Sequence, residues 1–407
     1  MTRSATARAW VLTRALTLVL LFAFEGARGV AGDITYFSQA LQAVPDVGLA
    51  HTLVEDPLPA VGVVAVPMGL AALAGSTGLY AVLLVLSALV VDGLFTGLLQ
   101  RVSGSSRRPL VVWLLAAPLL GGLSLARLDL LVGVLAAVGL LAAAPRPRVA
   151  AAAVTVATAL KLWPVLLLPG IVAASRRRVG SVVVVGVTGL VLAAATLVLA
   201  GWGRLVSPLS YQGERGLHVE SVPATPAMLG WAVHPGGWRV EYADSRAFEV
   251  TGPAVSLSLL LSTLLTMGLA AGFVLLLARI WRGGVLAAEG LVWTSLAAVC
   301  AFLATAKVFS PQYLLWLLPM AAAGLALVRS RALDRWSTLL LVATGLTHLV
   351  YPVCYRGLVE HGWQTAVAVP ALATRNVLLV LLLVVAVRAA WRATSRQHDR
   401  ETVAVGG

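Results

Sequence analysis

The chain has 407 residues, of which 59% are hydrophobic and only 12% charged, and its mean hydropathy is +0.92. A soluble domain carries about 25% charged residues, so a soluble enzyme, a disordered chain and a secreted disulfide scaffold are excluded and a polytopic membrane protein is expected. The formal net charge of +13 rests on 28 arginines and two lysines, Lys161 and Lys307; no basic stripe interleaves with exposed aromatics, so the expected partners are membrane lipids and not nucleic acid.

A spanning helix needs about 20 apolar residues. Apolar segments run over 9–29, 77–99, 109–125, 129–144, 149–174, 179–201, 254–278, 285–306, 313–328, 336–354 and 371–391. The first follows Arg3 and Arg8 and contains Arg14. It has an alternative reading as a signal peptide, but Arg14 and Glu25 interrupt it and no clean A-x-A site follows. The stretch 57–75 holds Pro57, Pro59 and Pro67. Interior prolines remove a hydrogen bond and clash with the preceding turn, so it reads as a non-crossing or re-entrant outer element. The segment 149–174 starts and ends near arginines and reads as a hairpin with Lys161, Trp163 and Pro164 at its tip.

Twenty arginines, Arg14 among them, fall near the N-terminus, in short connections or in the tail, and the positive-inside rule places them in the cytoplasm. Outer loops are then expected at about 30–76, 203–253 and 355–370. The sum is an all-α bundle of about twelve transmembrane helices over 1–392, in the cytoplasmic membrane, with both termini inside. The tail 393–407 reads as polar and disordered. Residues Cys300 and Cys354 lie in apolar segments and no CxxC occurs, so neither a metal nor a disulfide framework is indicated. No nucleotide-binding loop and no fixed-period repeat is present, and the absent repeat weakens duplicated transporter folds.

Both lysines, five of six histidines and 11 of 17 acids fall on the presumed outer side. Opposite these acids stand Arg28, Arg127, Arg204, Arg215, Arg239, Arg246, Arg356 and Arg375. Chemistry is therefore expected there. Asp33 follows the first span within Gly32-Asp33-Ile34-Thr35-Tyr36. It can cap a helix or take a proton from an acceptor hydroxyl. Arg127 and Asp129 can form a self-satisfied ion pair or help bind a phosphate. An ammonium at the edge of a span faces either a cavity or the headgroups, and both lysines lie outward, which favours an anionic ligand. The segment Tyr211–Ser221 packs Glu214, Arg215, His218 and Glu220 together; no further ligand sits at metal-binding spacing. Tyr313 and Trp316 suit either an interfacial belt or stacking on a sugar.

Taken in order, Gly32-Asp33, Asp56-Pro57-Leu58-Pro59, Arg127-Leu-Asp129, Lys161-Leu-Trp-Pro164, Arg215-Gly-x-x-x-Glu220-Ser221 and Lys307-Val-Phe-Ser-Pro-Gln312-Tyr313-Leu-Leu-Trp316 carry a resemblance. The chain resembles actinobacterial C-type membrane glycosyltransferases, and among them the polyprenyl-phosphate-mannose-dependent α-1,2-mannosyltransferases, which include the enzyme that elongates phosphatidylinositol mannosides. The resemblance spans nearly the whole chain. It departs at Asp56-Pro57-Leu58-Pro59, where members often have Tyr-Pro-Pro. It implies an all-helical fold with an outward cavity and Asp33 as general base. The implied donor is a polyprenyl-phosphate mannose, the acceptor a glycolipid or glycan, and no cofactor or metal is required. The residues expected to bind the donor phosphate are Lys161, Lys307, Arg127 and Arg215. Those expected to bind sugar or acceptor are Tyr36, Asp129, His218, Glu220, Gln312, Tyr313 and His348. Alternatives are another polyprenyl-phosphate sugar such as arabinofuranose, a lipid-linked-sugar transporter, or a structural partner in envelope assembly.

Overall fold

A computed structural model describes residues 2–25, 29–282 and 284–406. Arg28 lies outside the described residues, as do the side chains of Glu25, Glu214, Arg396 and Arg400. About 79% of the chain is helical. Helix α1 (Arg3–Val19) is capped by the Thr2 hydroxyl, which accepts from the Ala5 N–H, and continues as a π-helical turn, Leu20–Glu25. The Asp33 region then forms α2 (Gly32–Gln42) and the short α3 (Val44–Val47). The proline-bearing stretch is a continuous helix, α4 (Leu58–Leu73). Pro57 is its N-cap and Pro59 lies in its first turn, where no backbone N–H is needed; only Pro67 is interior.

The middle of the chain forms α5 (Tyr80–Val102), α6 (Arg108–Leu120), α7 (Leu123–Ala126), α8 (Asp129–Ala142) and α9 (Pro147–Leu160). The expected hairpin tip is present: Lys161 is extended, a 3-10 turn covers Trp163–Leu167, and α10 (Leu168–Ala173) returns. Helix α11 (Arg178–Glu214) runs well past the expected end near 201, across a break at Gly201 with φ 80° and ψ 176°, a conformation only glycine adopts without strain. Residues 203–253, read as a loop, therefore carry the C-terminal end of α11, α12 (Thr225–Val233) and an antiparallel hairpin of β1 (Arg239–Tyr242) and β2 (Phe248–Thr251), with Arg239 opposite Thr251 and Tyr242 opposite Phe248. This two-stranded hairpin is a small addition to an otherwise helical fold, in keeping with the all-α expectation.

The remaining helices are α13 (Val255–Arg282), α14 (Ala288–Thr305), α15 (Leu314–Leu327), α16 (Arg331–His348), α17 (Arg356–Val359) and α18 (Thr365–Gly406). The end of α18 carries helical backbone where a disordered tail was expected. Among the described residues seven helices are long and apolar enough to cross a membrane, and six apolar helices of 10–17 residues accompany them. The expected count of about twelve is not reproduced as full-length spans: a 14-residue helix such as α8 is about 21 Å long, short of the roughly 30 Å hydrocarbon core.

Helices α14 and α15 form the centre of the core, with 78% of the apolar window of α14 buried, whereas α11 and α13 are 6% buried over theirs and present long apolar flanks. Close approach at the centre depends on Gly133 of α8, where a Cβ would strike the Leu315 carbonyl of α15. Arg14, expected as a solvent-facing anchor, is instead 2% exposed. Its Nε and Nη2 donate to Asp92 on α5 at 2.8 and 2.5 Å, its Nη1 donates to the Leu114 carbonyl at 3.1 Å, and the Trp10 indole also donates to Asp92. A buried charge pair with its remaining valences filled ties α1 to α5 and α6.

A candidate active site with two charged centres

The long helix α11 joins two chemically different ends of the bundle. Arg178, at its start, lies among arginines, whereas its far end meets Lys307 and the loop that holds Glu55 and Asp56. Asp33 lies at the second end, in the first turn of α2 and just after the Gly29 turn, whose φ is +89°. It pairs with Arg127, which is 7% exposed where Asp33 is 39% exposed. The arginine is thus buried behind the acid, and the carboxylate keeps an open side.

Arg127 and Asp129 do not pair with each other. Arg127 is extended at the end of α7, whereas Asp129 already belongs to the first turn of α8, so the two side chains reach different partners. Asp129, 3% exposed, accepts the Trp316 indole N–H at 2.6 Å and the Lys161 ammonium at 3.1 Å. Lys161 also stands 3.9 Å from Asp56. Burial works against the Lys161 charge, but Asp129 and Asp56 outweigh it and raise its pKa above the ordinary value. Burial pushes Asp56 up to about 6, held down by Lys161 and raised further by Glu55, Asp129 and Asp33.

Arg204 supports this centre from the far side of the Gly201 break. Buried at 2% exposure, its Nη2 donates to the carbonyls of Thr52, Leu53 and Asp56 at 3.2, 2.9 and 2.7 Å. The Ser207 hydroxyl donates to the Val54 carbonyl at 2.9 Å. So held, the loop sends Asp56 to Lys161 and Glu55 to Tyr36, whose hydroxyl donates to Glu55 Oε1 at 2.6 Å. Arg246, at the tip of the β-hairpin, lies 4.4 Å over the Tyr36 ring, and the Tyr211 hydroxyl donates to the Ser245 carbonyl at 2.8 Å. The hairpin thus folds over the helix that carries Asp33. The sequence reading gave no site role to Arg204, Arg246, Glu55 or Asp56. An arginine inside a long apolar helix was the available signal for Arg204, obscured because 203–253 read as a loop.

Tyr313, Trp316 and Trp163 are buried and stack on one another, with centroids 4.0 Å apart for Tyr313–Trp316 and 5.0 Å for Trp163–Trp316. Tyr313 and Trp316 are not an interfacial belt; their faces serve as the wall behind Asp129 and Lys161.

The second centre begins at the same turn. Lys307 Nζ donates to the Gly213 carbonyl at 3.0 Å, and its own carbonyl accepts the His218 N–H at 3.0 Å. His218 is buried, and its Nδ1 accepts the Glu220 N–H at 3.2 Å. Burial, then Arg215 and Arg375, lower its pKa to about 3, so the ring is neutral. Arg375 on α18, fully buried, donates to the Glu220 carbonyl at 2.8 Å, stands 3.6 Å from the Glu220 carboxylate and lies 4.0 Å over the Phe309 ring. Asn376 donates to the Ser221 carbonyl at 3.2 Å and the Thr225 hydroxyl at 2.7 Å, which fastens the Arg215–Ser221 segment to α18. Burial raises Glu220 to about 7 against the pull of Arg375. The Nε atoms of Arg215 and Arg375, Nη1 of Arg375 and Oε2 of Glu220 are buried without hydrogen-bond partners. Among the described residues neither Arg215 nor Lys307 has a carboxylate partner.

Of the expected phosphate ligands, then, Lys161 and Arg127 are balanced by carboxylates, whereas Lys307 and Arg215 are not, and Arg375 joins them. Gln312 is half-buried in the turn before α15; His348, half-buried at the end of α16, is engaged in an interaction of its own. Among the described residues no three His, Cys, Asp or Glu side chains gather as a metal site. The arrangement offers one partly open carboxylate oriented by a buried arginine, beside a cluster of unbalanced cations. Comparison with protein-family models, with curated proteins and with solved structures finds no match.

Proposed function

We propose that the chain transfers a mannosyl residue from a polyprenyl-phosphate donor to a hydroxyl of a glycolipid or glycan acceptor. We place Asp33 at the outer face of the cytoplasmic membrane, with both termini inside. The observation that carries this reading is the pairing of Asp33, 39% exposed, with a buried Arg127, next to cations that lack acidic partners. Asp33 takes the proton of the acceptor hydroxyl. The acceptor oxygen forms its bond to the anomeric carbon as the carbon–oxygen bond to the phosphate breaks. The electron pair of that bond leaves on the lipid phosphate. Attack on the face opposite the phosphate inverts a β-linked donor to an α-linked product.

Arg127 fixes the orientation of Asp33 and takes no part in binding the donor. The departing phosphate is met by Arg215, Lys307 and Arg375, whose charge-assisted hydrogen bonds strengthen as charge develops on its oxygen. His218 stays neutral and acts as a hydrogen-bonding group, not a fourth cation. A single phosphate held this way needs no divalent ion to neutralise it. Membranes containing the protein are incubated with radiolabelled polyprenyl-phosphate mannose, and the expected result is a labelled glycolipid or glycan that disappears with Asp33→Asn. Label transfer to arabinose-type acceptors from the corresponding arabinofuranosyl donor, with none from the mannosyl donor, would replace the sugar and keep the chemistry. Movement of intact donor across the bilayer without transfer would replace the enzyme by a transporter.

A further inference from the structure

Two clefts open on the arginine-rich end of the bundle, remote from Asp33. One, of about 400 Å³, is lined by Arg108, Arg329, Arg331 and Asp334 together with serines. There Arg108 Nη1 reaches both Asp334 oxygens at 2.7 Å, so the site balances part of its own charge. The other, of about 500 Å³, lies between the start of α11 and the end of α13 and is lined by Ser175, Arg176, Arg177, Arg178, Gly284 and Val285 among others, with no acid among the described residues.

The second cleft is built, not frayed. Ser175, 1% exposed, accepts the Arg177 N–H at 3.0 Å and is bonded to the Ser181 hydroxyl at 3.0 Å. Arg178 is committed to the wall: it donates to the Gly284 carbonyl and lies 5.4 Å over the Trp281 ring. The Leu286 N–H donates to the Ala173 carbonyl at 3.0 Å, which closes the floor through α10. This turn leaves Arg176 and Arg177 exposed at the mouth. Directly beside the mouth begin the two least-buried spans, with Val179, Val182 and Val183 exposed on α11 and Val274 and Leu275 on α13.

We infer that this cleft holds the headgroup of an anionic phospholipid, with its phosphate on Arg176 and Arg177 and its acyl chains along the exposed flanks of α11 and α13. The charge of the mouth selects an anion, and the two apolar rails select one that carries hydrocarbon. A zwitterionic lipid brings its own cation against uncompensated arginines. The inference is independent of glycosyl transfer and needs only that the protein lie in a membrane.

Purified full-length protein in neutral detergent is titrated with phosphatidylglycerol or phosphatidylcholine and followed by native mass spectrometry and thermal shift. We expect one tightly retained phosphatidylglycerol. Each basic residue near a charged lipid surface contributes about 1 kcal/mol, so Arg176→Ala with Arg177→Ala should weaken retention about 30-fold. The charge-keeping Arg176→Lys with Arg177→Lys should remain within about fivefold of wild type, well inside the effect of removing both charges. Arg329→Ala with Arg331→Ala removes the same formal charge from the neighbouring cleft and should leave binding unchanged. Equal losses from the two alanine pairs would reduce the effect to overall charge and overturn the site. Phosphatidylcholine bound as tightly as phosphatidylglycerol would overturn the selectivity. Inorganic phosphate giving the same thermal shift would assign a free anion and overturn the lipid.

Discussion

The two charged centres use the same residue types in opposite ways. Around Asp33, Arg127 has Asp33 and Lys161 has Asp129 with Asp56 beyond it, while Arg204 is held by carbonyls alone and the Nε atoms of Arg127 and Arg204 are buried without partners. Around His218, among the described residues, Arg375 is the only one of Arg215, Lys307 and Arg375 with a carboxylate within 4 Å, and Nε of Arg215 and Nε and Nη1 of Arg375 are buried without partners. A centre whose charges cancel holds its side chains in fixed orientations and attracts no ion. A centre left positive has valences that an incoming anion or water can fill. The difference assigns orientation and proton transfer to the first and anion binding to the second, although both lie at the same end of the bundle and share the Lys307–Tyr313 turn.

The sharpest way to break this comparison is Asp33→Asn, which keeps the shape and removes the base. Transfer of the sugar should fall by up to about 10⁴-fold, within the range of general-base catalysis, while the protein stays folded. Retained transfer would remove Asp33 as the base. Asp129→Ala tests whether the first centre is a balanced unit. It leaves the partly buried Lys161 beside only the more distant Asp56 and the Trp316 indole without its acceptor, and should cost about 2–3 kcal/mol of stability, read as a lowered unfolding temperature.

The second centre is tested through pH. Glu220 is raised from about 4.5 to about 7 on folding, so its contribution is fully present below the unfolded value and is lost as pH rises through 7. Glu220→Gln lacks this loss. Between pH 4.5 and 8 the stability of Glu220→Gln relative to wild type should therefore rise by about 3 kcal/mol, measured by thermal melts at the two pH values. A parallel pair of stability curves would show that Glu220 is solvated and ordinary. The smallest effect separates the centres kinetically: Lys307→Ala should raise the donor KM about tenfold, the weight of one charge-assisted hydrogen bond, whereas Arg127→Ala should lower kcat and leave donor KM in place. An unchanged donor KM in Lys307→Ala would remove it from the phosphate site.

Much of the architecture was legible because apolar runs bounded by arginines are long and unambiguous. The segment expected at 285–306 is helix Ala288–Thr305, and the tip predicted at Lys161–Pro164 is a tip. Span count was not legible, because nothing local distinguishes a 14-residue apolar helix buried within the bundle from one that crosses the membrane; α8 and α9 are of this kind. Asp33 stood out as a carboxylate directly after a span. Its partner did not: Arg127 and Asp129 are two residues apart, and local reasoning pairs them, whereas the start of α8 turns them toward Asp33 and Lys161. Arg204 was hidden by one glycine. An allowance for helix continuing beyond Gly201 would have placed that arginine inside the bundle, facing carbonyls, and not in a polar loop. Arg375 was counted among the outer charges but not chosen, because its significance lies in burial, which no local pattern reports.

The Arg14–Asp92 pair has a consequence for how the chain enters the bilayer. When the first helix leaves the ribosome its guanidinium has no counter-charge, and a lone arginine at mid-helix disfavours insertion by about 2.5–3.5 kcal/mol. The acid that neutralises it lies 78 residues downstream. The pair with α5 offsets that cost, so α1 is held more firmly in the bundle than its own apolar surface would hold it.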